Sequence, residues 1–158
     1  KHLGAMLKAA AAHRGTSFLE VYQNCNVYND LAFDHASDRK RRPEHIVELE
    51  HAQPLVCGAQ SNKGIRLNGF QPEVVELDAA GSEETLLKHD AHCEDSTLAG
   101  IRARMRYPSL PEPIGIIRQI DRPCYEDLLQ EQVDEAGHRD GNNDLDALLA
   151  GGDTWQVG

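Results

Sequence analysis

The sequence predicts an α/β arrangement at its start, followed by a small α+β region. Three observations carry this reading. Leu3–His13 is rich in strong helix formers and carries an apolar stripe of Leu3, Met6, Leu7 and Ala10. Gly15 follows as a C-terminal stop, and Ser17–Tyr22 then reads as a near-continuous apolar strand. After Asp30 the pattern changes to short strand-like runs separated by turn clusters and isolated helical stretches. One helix and one strand cannot bury themselves alone, so they read as the closing pieces of a larger layer.

The elements beyond Asp30 follow in order. Leu31–Asp38 fits a short helix or turn, and Pro43 is expected to break any continuation. Ile46–Leu49 and Leu55–Val56 read as short strands. The cluster Gly58–Gly64 then predicts a hairpin, which Ile65–Leu67 and Val74–Leu77 extend into an antiparallel meander. Asp95–Arg106 places Leu98, Ile101 and Met105 on one helical face, and Ile114–Arg118 reads as a buried strand. Arg122-Pro123 opens a helix running through Tyr125, Leu128, Leu129 and Val133. Gly137–Asn143 reads as a polar loop, Asp144–Leu149 as a short helix, and Trp155 as an anchor for the tail. No internal repeat is visible.

The 158 residues suffice for an ordinary domain with a real core, and the formal net charge is −10. Aromatics make up 5% and do not alternate with a basic stripe, which argues against nucleic-acid binding. The one cationic run, Arg39-Lys40-Arg41-Arg42, reads as a solvated loop, with a phosphate or acidic partner as the rival. No apolar stretch approaches the roughly 20 residues a bilayer span needs. No signal peptide is evident, so reduced thiols and a cytoplasmic location are expected. Cys25, Cys57, Cys93 and Cys124 are scattered with no Cys-x-x-Cys pair, which argues against a self-contained zinc or iron–sulfur site. Cys57 and Cys124 read as packing residues. His89, His92 and Cys93 lie within five residues, but no second half of a metal site is nearby.

The stretch Gln23-Asn24-Cys25-Asn26-Val27-Tyr28-Asn29-Asp30 is the most informative one. It puts a thiol in a polar loop at the end of a strand. A thiolate there can reach a soft metal, and polar neighbours can tune it through hydrogen bonds. A small buried hydrophobe at a strand end is the plain alternative. Asn26, Asn29 and Asp30 are candidates for a cofactor contact or for capping the turn. Asp34 and His35 are adjacent and diverge on a helix, so they read as surface residues. Gly58 and Gly64 lack the Gly-Lys-Ser/Thr ending of a phosphate loop.

The run His13–Asp30 resembles the β subunit of 2-oxoacid:ferredoxin oxidoreductases, in particular the 2-oxoglutarate type. Glu50–Leu55, Lys88–His92, Pro113–Ile116 through Arg122-Pro123, Asp144–Leu149 and Gly152–Trp155 look like the long C-terminal part of one branch of that family, in the same order. The resemblance implies oxidative decarboxylation of a 2-oxoacid to an acyl-CoA with thiamine diphosphate and Mg²⁺, and electrons passed through a [4Fe–4S] cluster to ferredoxin. It makes Cys25 a cluster ligand and places Asn26, Asn29 and Asp30 near the cofactor or the contact with an α subunit. It assigns no catalytic residue to this stretch. Residues 1–30 then correspond to the end of the thiamine-diphosphate-binding domain, a three-layer fold, and 31–158 to a C-terminal extension. The chain departs from the family in lacking three N-terminal cluster cysteines and the Gly-Asp-Gly…Asn segment that holds Mg²⁺ and the diphosphate. It is therefore expected to correspond to the C-terminal half of a β subunit and to be inactive by itself. Leu31 stands where the family often has Gly, a residue far more tolerant of φ > 0. Two other readings stay open at this point: an accessory or interaction subunit whose Cys25 loop completes a site elsewhere, and an α+β binding domain without a redox role.

Overall fold

A computed structural model describes residues 1–77, 82–140, 145–152, 155 and 157. The end of the expected polar loop with the expected helix start at Asp144, and Asp153-Thr154 of the tail, lie outside these residues. The chain divides into two units: Lys1–His13 with Ser17–Asp121, and Arg14–Thr16 with the residues from Arg122 onward.

The first unit opens with α1 (His2–Ala12), which buries none of its residues. From Thr16 to Asn24 the chain forms no helix or strand, so the strand expected over Ser17–Tyr22 is not formed and its side chains are largely exposed, because no neighbouring strand among the described residues pairs with it. Phe18 is 89% exposed. Two four-residue helices follow, α2 (Asp34–Ser37) and α3 (Arg42–His45). Pro43 sits in the first turn of α3, where its missing N–H costs nothing, so it starts a helix here and does not simply end one.

Two sheets form among the described residues. Strands β2 (Val56–Cys57), β3 (Lys63–Asn68) and β4 (Gln71–Glu76) make the expected antiparallel meander. Asn68 pairs with Gln71, leaving a two-residue turn at Gly69-Phe70, and Gly69 takes φ 62°. A glycine at the first central position is what such a tight turn favours. The second sheet was not legible from local pattern. Here β1 (Ile46–Leu49) runs parallel to β5 (Glu112–Gly115), with Ile46 opposite Glu112. The strand foreseen over Ile114–Arg118 is therefore shifted toward the N-terminus.

The core is built on these sheets: Val47, Leu55, Cys57, Ile65 and Met105 are buried together, with Leu49, Leu87 and Leu110 packed against them. Burial of such side chains is worth about 1.5–3 kcal/mol each. The helix expected over Asp95–Arg106 is shorter, α4 (Thr97–Ala103): it buries Ile101 and half-buries Leu98, while Met105 enters the core from beyond its end. Gly64 is required by close packing, since a Cβ there would lie 2.5 Å from a Leu86 methyl. Arg102 is buried too, donating to the Lys88 carbonyl at 3.3 Å while its Nε finds no partner.

In the second unit, α5 (Tyr125–Asp140) continues through Gly137, where a loop was expected, and α6 (Leu145–Leu149) follows. Both helices expose apolar side chains, Tyr125, Val133 and Leu149 among them. Arg14 makes a two-pronged ion pair with Asp127 at 2.8 and 2.7 Å. Cys124 is buried, as expected for a packing residue. Trp155 is exposed and so is not seated on its own unit. No helix among the described residues is long and apolar enough to cross a membrane.

Candidate functional site

The Cys25 loop is a closed, hydrogen-bonded turn on the surface of the first unit. The Cys25 carbonyl accepts the Asn29 N–H at 2.9 Å, which draws five residues into one tight turn. The Asn24 side chain locks the base: its Oδ1 accepts the Leu31 N–H at 2.8 Å, and its Nδ2 donates to Asp30 at 2.9 Å. Asp30 also accepts the Leu31 N–H at 3.0 Å. The short polar side chains that flagged this stretch thus do what Asn and Asp do in turns, satisfying backbone donors that no ladder serves. Closing the turn sends Leu31 into the left-handed region at φ 61°. Leu adopts that conformation at a cost of about 1–2 kcal/mol, which a glycine would not bear.

Cys25 is exposed at the base of this turn. The neighbouring backbone N–H groups of Tyr28 and Val27, and more weakly that of Asn29, hold the thiol below its ordinary pKa, and desolvation opposes them. Backbone dipoles that favour the charged form make a thiol easier to deprotonate. The other cysteines differ. Cys57 is sealed in the core, where burial pushes its thiol up. Cys93 is half-buried, and its carbonyl accepts from Arg118. Asn26 and Asn29 are exposed beside Cys25, as are Val27 and Tyr28, the latter 92% exposed.

Behind the loop lies an aromatic and carboxylate network that sequence reading missed. Tyr22, just before the loop, stacks on Phe33, just after it, with ring centres 4.7 Å apart and planes 9° from parallel. His35 was expected on the surface, yet it is 5% exposed. Its Nε2 lies 3.0 Å from Glu112 Oε2, and its ring stacks on Tyr107 at 4.2 Å. His45 meets the same Tyr107 edge-on at 4.8 Å, and burial lowers the His45 pKa. Arg106 donates to the Tyr22 hydroxyl at 3.1 Å. Burial, followed by the charge of Glu112, raises the Tyr22 pKa. No local signal points to this cluster, because His35 and Glu112 lie far apart in sequence.

The basic run is largely spoken for. Arg41 pairs with Asp34 and donates to Tyr107, Arg42 pairs with Glu48, and Asp38 accepts the N–H groups of Lys40 and Arg41. Such interleaved acids favour the solvated-loop reading over a phosphate site. His51 and His92 sit with ring centres 4.7 Å apart, and Asp90 lies 3.6 Å from His51. His92 Nδ1 is held by the Gln119 carbonyl.

No protein-family profile matches the chain, and no solved structure matches it. A curated protein does. Over 98% of its length the chain is 34% identical to the 2-oxoglutarate oxidoreductase subunit KorB of Mycobacterium tuberculosis (strain ATCC 25618 / H37Rv). It spans 42% of that protein. The chain is thus similar, almost end to end, to a part of a 2-oxoglutarate oxidoreductase subunit, the kind of protein to which the Gln23–Asp30 run pointed.

Proposed function

We propose that this chain is the C-terminal part of the β subunit of a thiamine-dependent 2-oxoacid:ferredoxin oxidoreductase acting on 2-oxoglutarate, and that Cys25 is one thiolate ligand of its [4Fe–4S] cluster. The observation that carries the reading is the turn around Cys25. Cys25 stands exposed on a closed turn whose backbone N–H groups lower the pKa of its thiol. Hydrogen bonds of this kind tune a cluster's potential. A four-iron cluster takes four such thiolates, so three come from outside these residues. When bound, the cluster supplies one-electron storage between the thiamine chemistry and ferredoxin.

This chain's own residues then have defined tasks. Cys25 presents the thiolate, and Asn24 with Asp30 holds the turn closed. Asn26 and Asn29 face the cofactor side or the α subunit, and Asp30 contributes through the turn it caps. Val27 and Tyr28 give that surface an apolar cover that excludes water once the assembly forms. The unburied α1 and the exposed apolar side chains of Phe18 and Val21 favour the same reading, since both are surfaces that a larger layer would cover. The substrate, CoA, thiamine diphosphate and Mg²⁺ are held elsewhere in the assembly, and the isolated chain is inactive.

Replacing Cys25 with Ser in the complete complex tests the proposal. Iron content and the visible thiolate-to-iron absorbance are expected to fall, and 2-oxoglutarate-dependent viologen reduction with them. Unchanged iron and an unchanged spectrum would overturn it.

A further inference from the structure

We propose that Tyr22, Phe33 and the His35–Glu112 pair form a clasp at the neck of the Cys25 loop, through which the β1–β5 sheet positions the Cys25 sulfur. The inference deepens the proposed function, because it assigns positioning residues to a ligand which that reading assigns.

Residues 23–31 are exposed throughout, so burial fixes none of them. Their internal hydrogen bonds shape the turn, yet those bonds tie the loop only to itself. Its placement on the protein must come from its two ends. Tyr22 and Phe33 are those ends, and their stacked rings close the neck. Offset or stacked aromatic pairs contribute beyond the area they bury, and a closed neck removes the entropy of an open loop of this length.

The clasp is itself anchored. Tyr22 is held by Arg106 through its hydroxyl. Phe33 caps α2, and two residues on, His35 reaches Glu112 Oε2. Glu112 Oε1 accepts the Tyr107 N–H at 3.3 Å, and Tyr107 stacks on His35. Glu112 is the residue of β5 that lies opposite Ile46 of β1. A continuous line of packed and hydrogen-bonded side chains therefore joins a buried strand to the neck of an exposed loop. A buried carboxylate with two partners is a rigid anchor, since any displacement leaves it unpaired in a low-dielectric surround.

The test uses the complete complex with Phe33→Ala, Phe33→Tyr and Glu112→Gln. Two readouts are taken: hydrogen exchange of the peptide covering Gln23–Ala32 after iron is chelated away, and the midpoint potential and electron paramagnetic resonance signature of the reduced cluster. Phe33→Ala and Glu112→Gln are expected to speed exchange of the Val27–Asn29 amides about tenfold or more, the scale of losing one modest interaction. They should also shift the cluster's potential and signature. Phe33→Tyr keeps the stack and should restore both. Wild-type exchange rates in folded Phe33→Ala and Glu112→Gln proteins would overturn the clasp. If the wild-type complex holds no iron, the ligand reading of Cys25 fails, and the exchange data still decide the clasp. Should Phe33→Ala not fold, Glu112→Gln with the Phe33→Tyr control carries the decision alone.

Discussion

His35 Nε2 sits 3.0 Å from Glu112 Oε2, and both residues are almost sealed from solvent, at 5% and 6% exposure. Removing one member of such a pair leaves the other buried without its partner. His35→Ala should destabilise the protein by about 3 kcal/mol, the low end for a broken buried pair, because the Tyr107 N–H still serves Glu112. Replacing both with apolar residues of similar size should cost far less, since neither group then remains unpaired. Urea-unfolding midpoints of the two single variants and the double variant check this. Equal losses in the single and double variants would show that the pair acts only through its packing.

Arg102 invites the opposite substitution. Its guanidinium is buried, burial lowers its pKa, and it makes one long hydrogen bond to the Lys88 carbonyl while Nε has none. Arg102→Met keeps the length of the side chain and removes an under-compensated charge. Stability is expected to hold or to rise by about 1 kcal/mol or more. A clear fall in the melting temperature would mean that the guanidinium is better satisfied than this geometry allows.

Leu31 occupies φ 61°, a conformation that costs a non-glycine residue about 1–2 kcal/mol. Leu31→Gly relieves that strain and loses some of the gain to the extra freedom of the unfolded chain. It should therefore be neutral or modestly stabilising, whereas Leu31→Ile should destabilise, since a β-branched residue is a poorer fit to φ > 0. Thermal melts of the pair settle the sign.

The Glu44–Lys63 ion pair, 2.7 Å long, ties α3 to β3. The Lys63 hydrogen bond foremost, then the Ala59 N–H, lowers the Glu44 pKa, and Glu44 in turn raises that of Lys63. A depressed carboxylate contributes stability above its unfolded pKa and loses it as pH falls through the folded one. A raised amine contributes below its unfolded pKa and loses it as pH rises through the folded one. The pair's contribution is thus flat at neutral pH and lost at both the acidic and the alkaline extremes. In urea titrations from pH 3 to 7, roughly spanning the carboxylate range, Glu44→Gln should show a shallower acid-limb slope than the wild type. Identical slopes would remove this pair from the acid response.

Local pattern was sufficient wherever the partner of a residue lay close in sequence. The meander from Val56 to Glu76 has its turns between neighbouring strands, and the inward face of α4, with Leu98 half-buried and Ile101 buried, repeats within one turn. The Gly69-Phe70 turn carried a usable signal in Asn68-Gly69 that was passed over. Cys57 read correctly as a packing residue for the same reason, since it sits in a strand-like run. The failures are long-range. The fate of His35 depends on Glu112, and β1 finds its neighbour in β5, so no window of local sequence holds either fact. Ser17–Tyr22 shows the converse, a strand-like run that forms no strand because no ladder partner lies beside it among the described residues. At the Cys25 loop the chemistry of the side chains was legible, but the closure of the turn by the Asn29 N–H on the Cys25 carbonyl belongs to the backbone conformation, which residue types alone do not specify.

The parallel pairing of β1 with β5 bears on how the protein is made. A ribosome delivers Lys63–Asn68 and Gln71–Glu76 in quick succession, so that hairpin can close soon after it leaves the exit tunnel. Ile46–Leu49 and the His35 imidazole emerge earlier, yet they wait for Glu112–Gly115 to be translated. During that interval an unpaired strand edge and a half-built anchor are open to chaperones and to neighbouring nascent chains. A stall before codon 112 should therefore yield a product prone to aggregation, in which the Cys25 loop has no fixed seat.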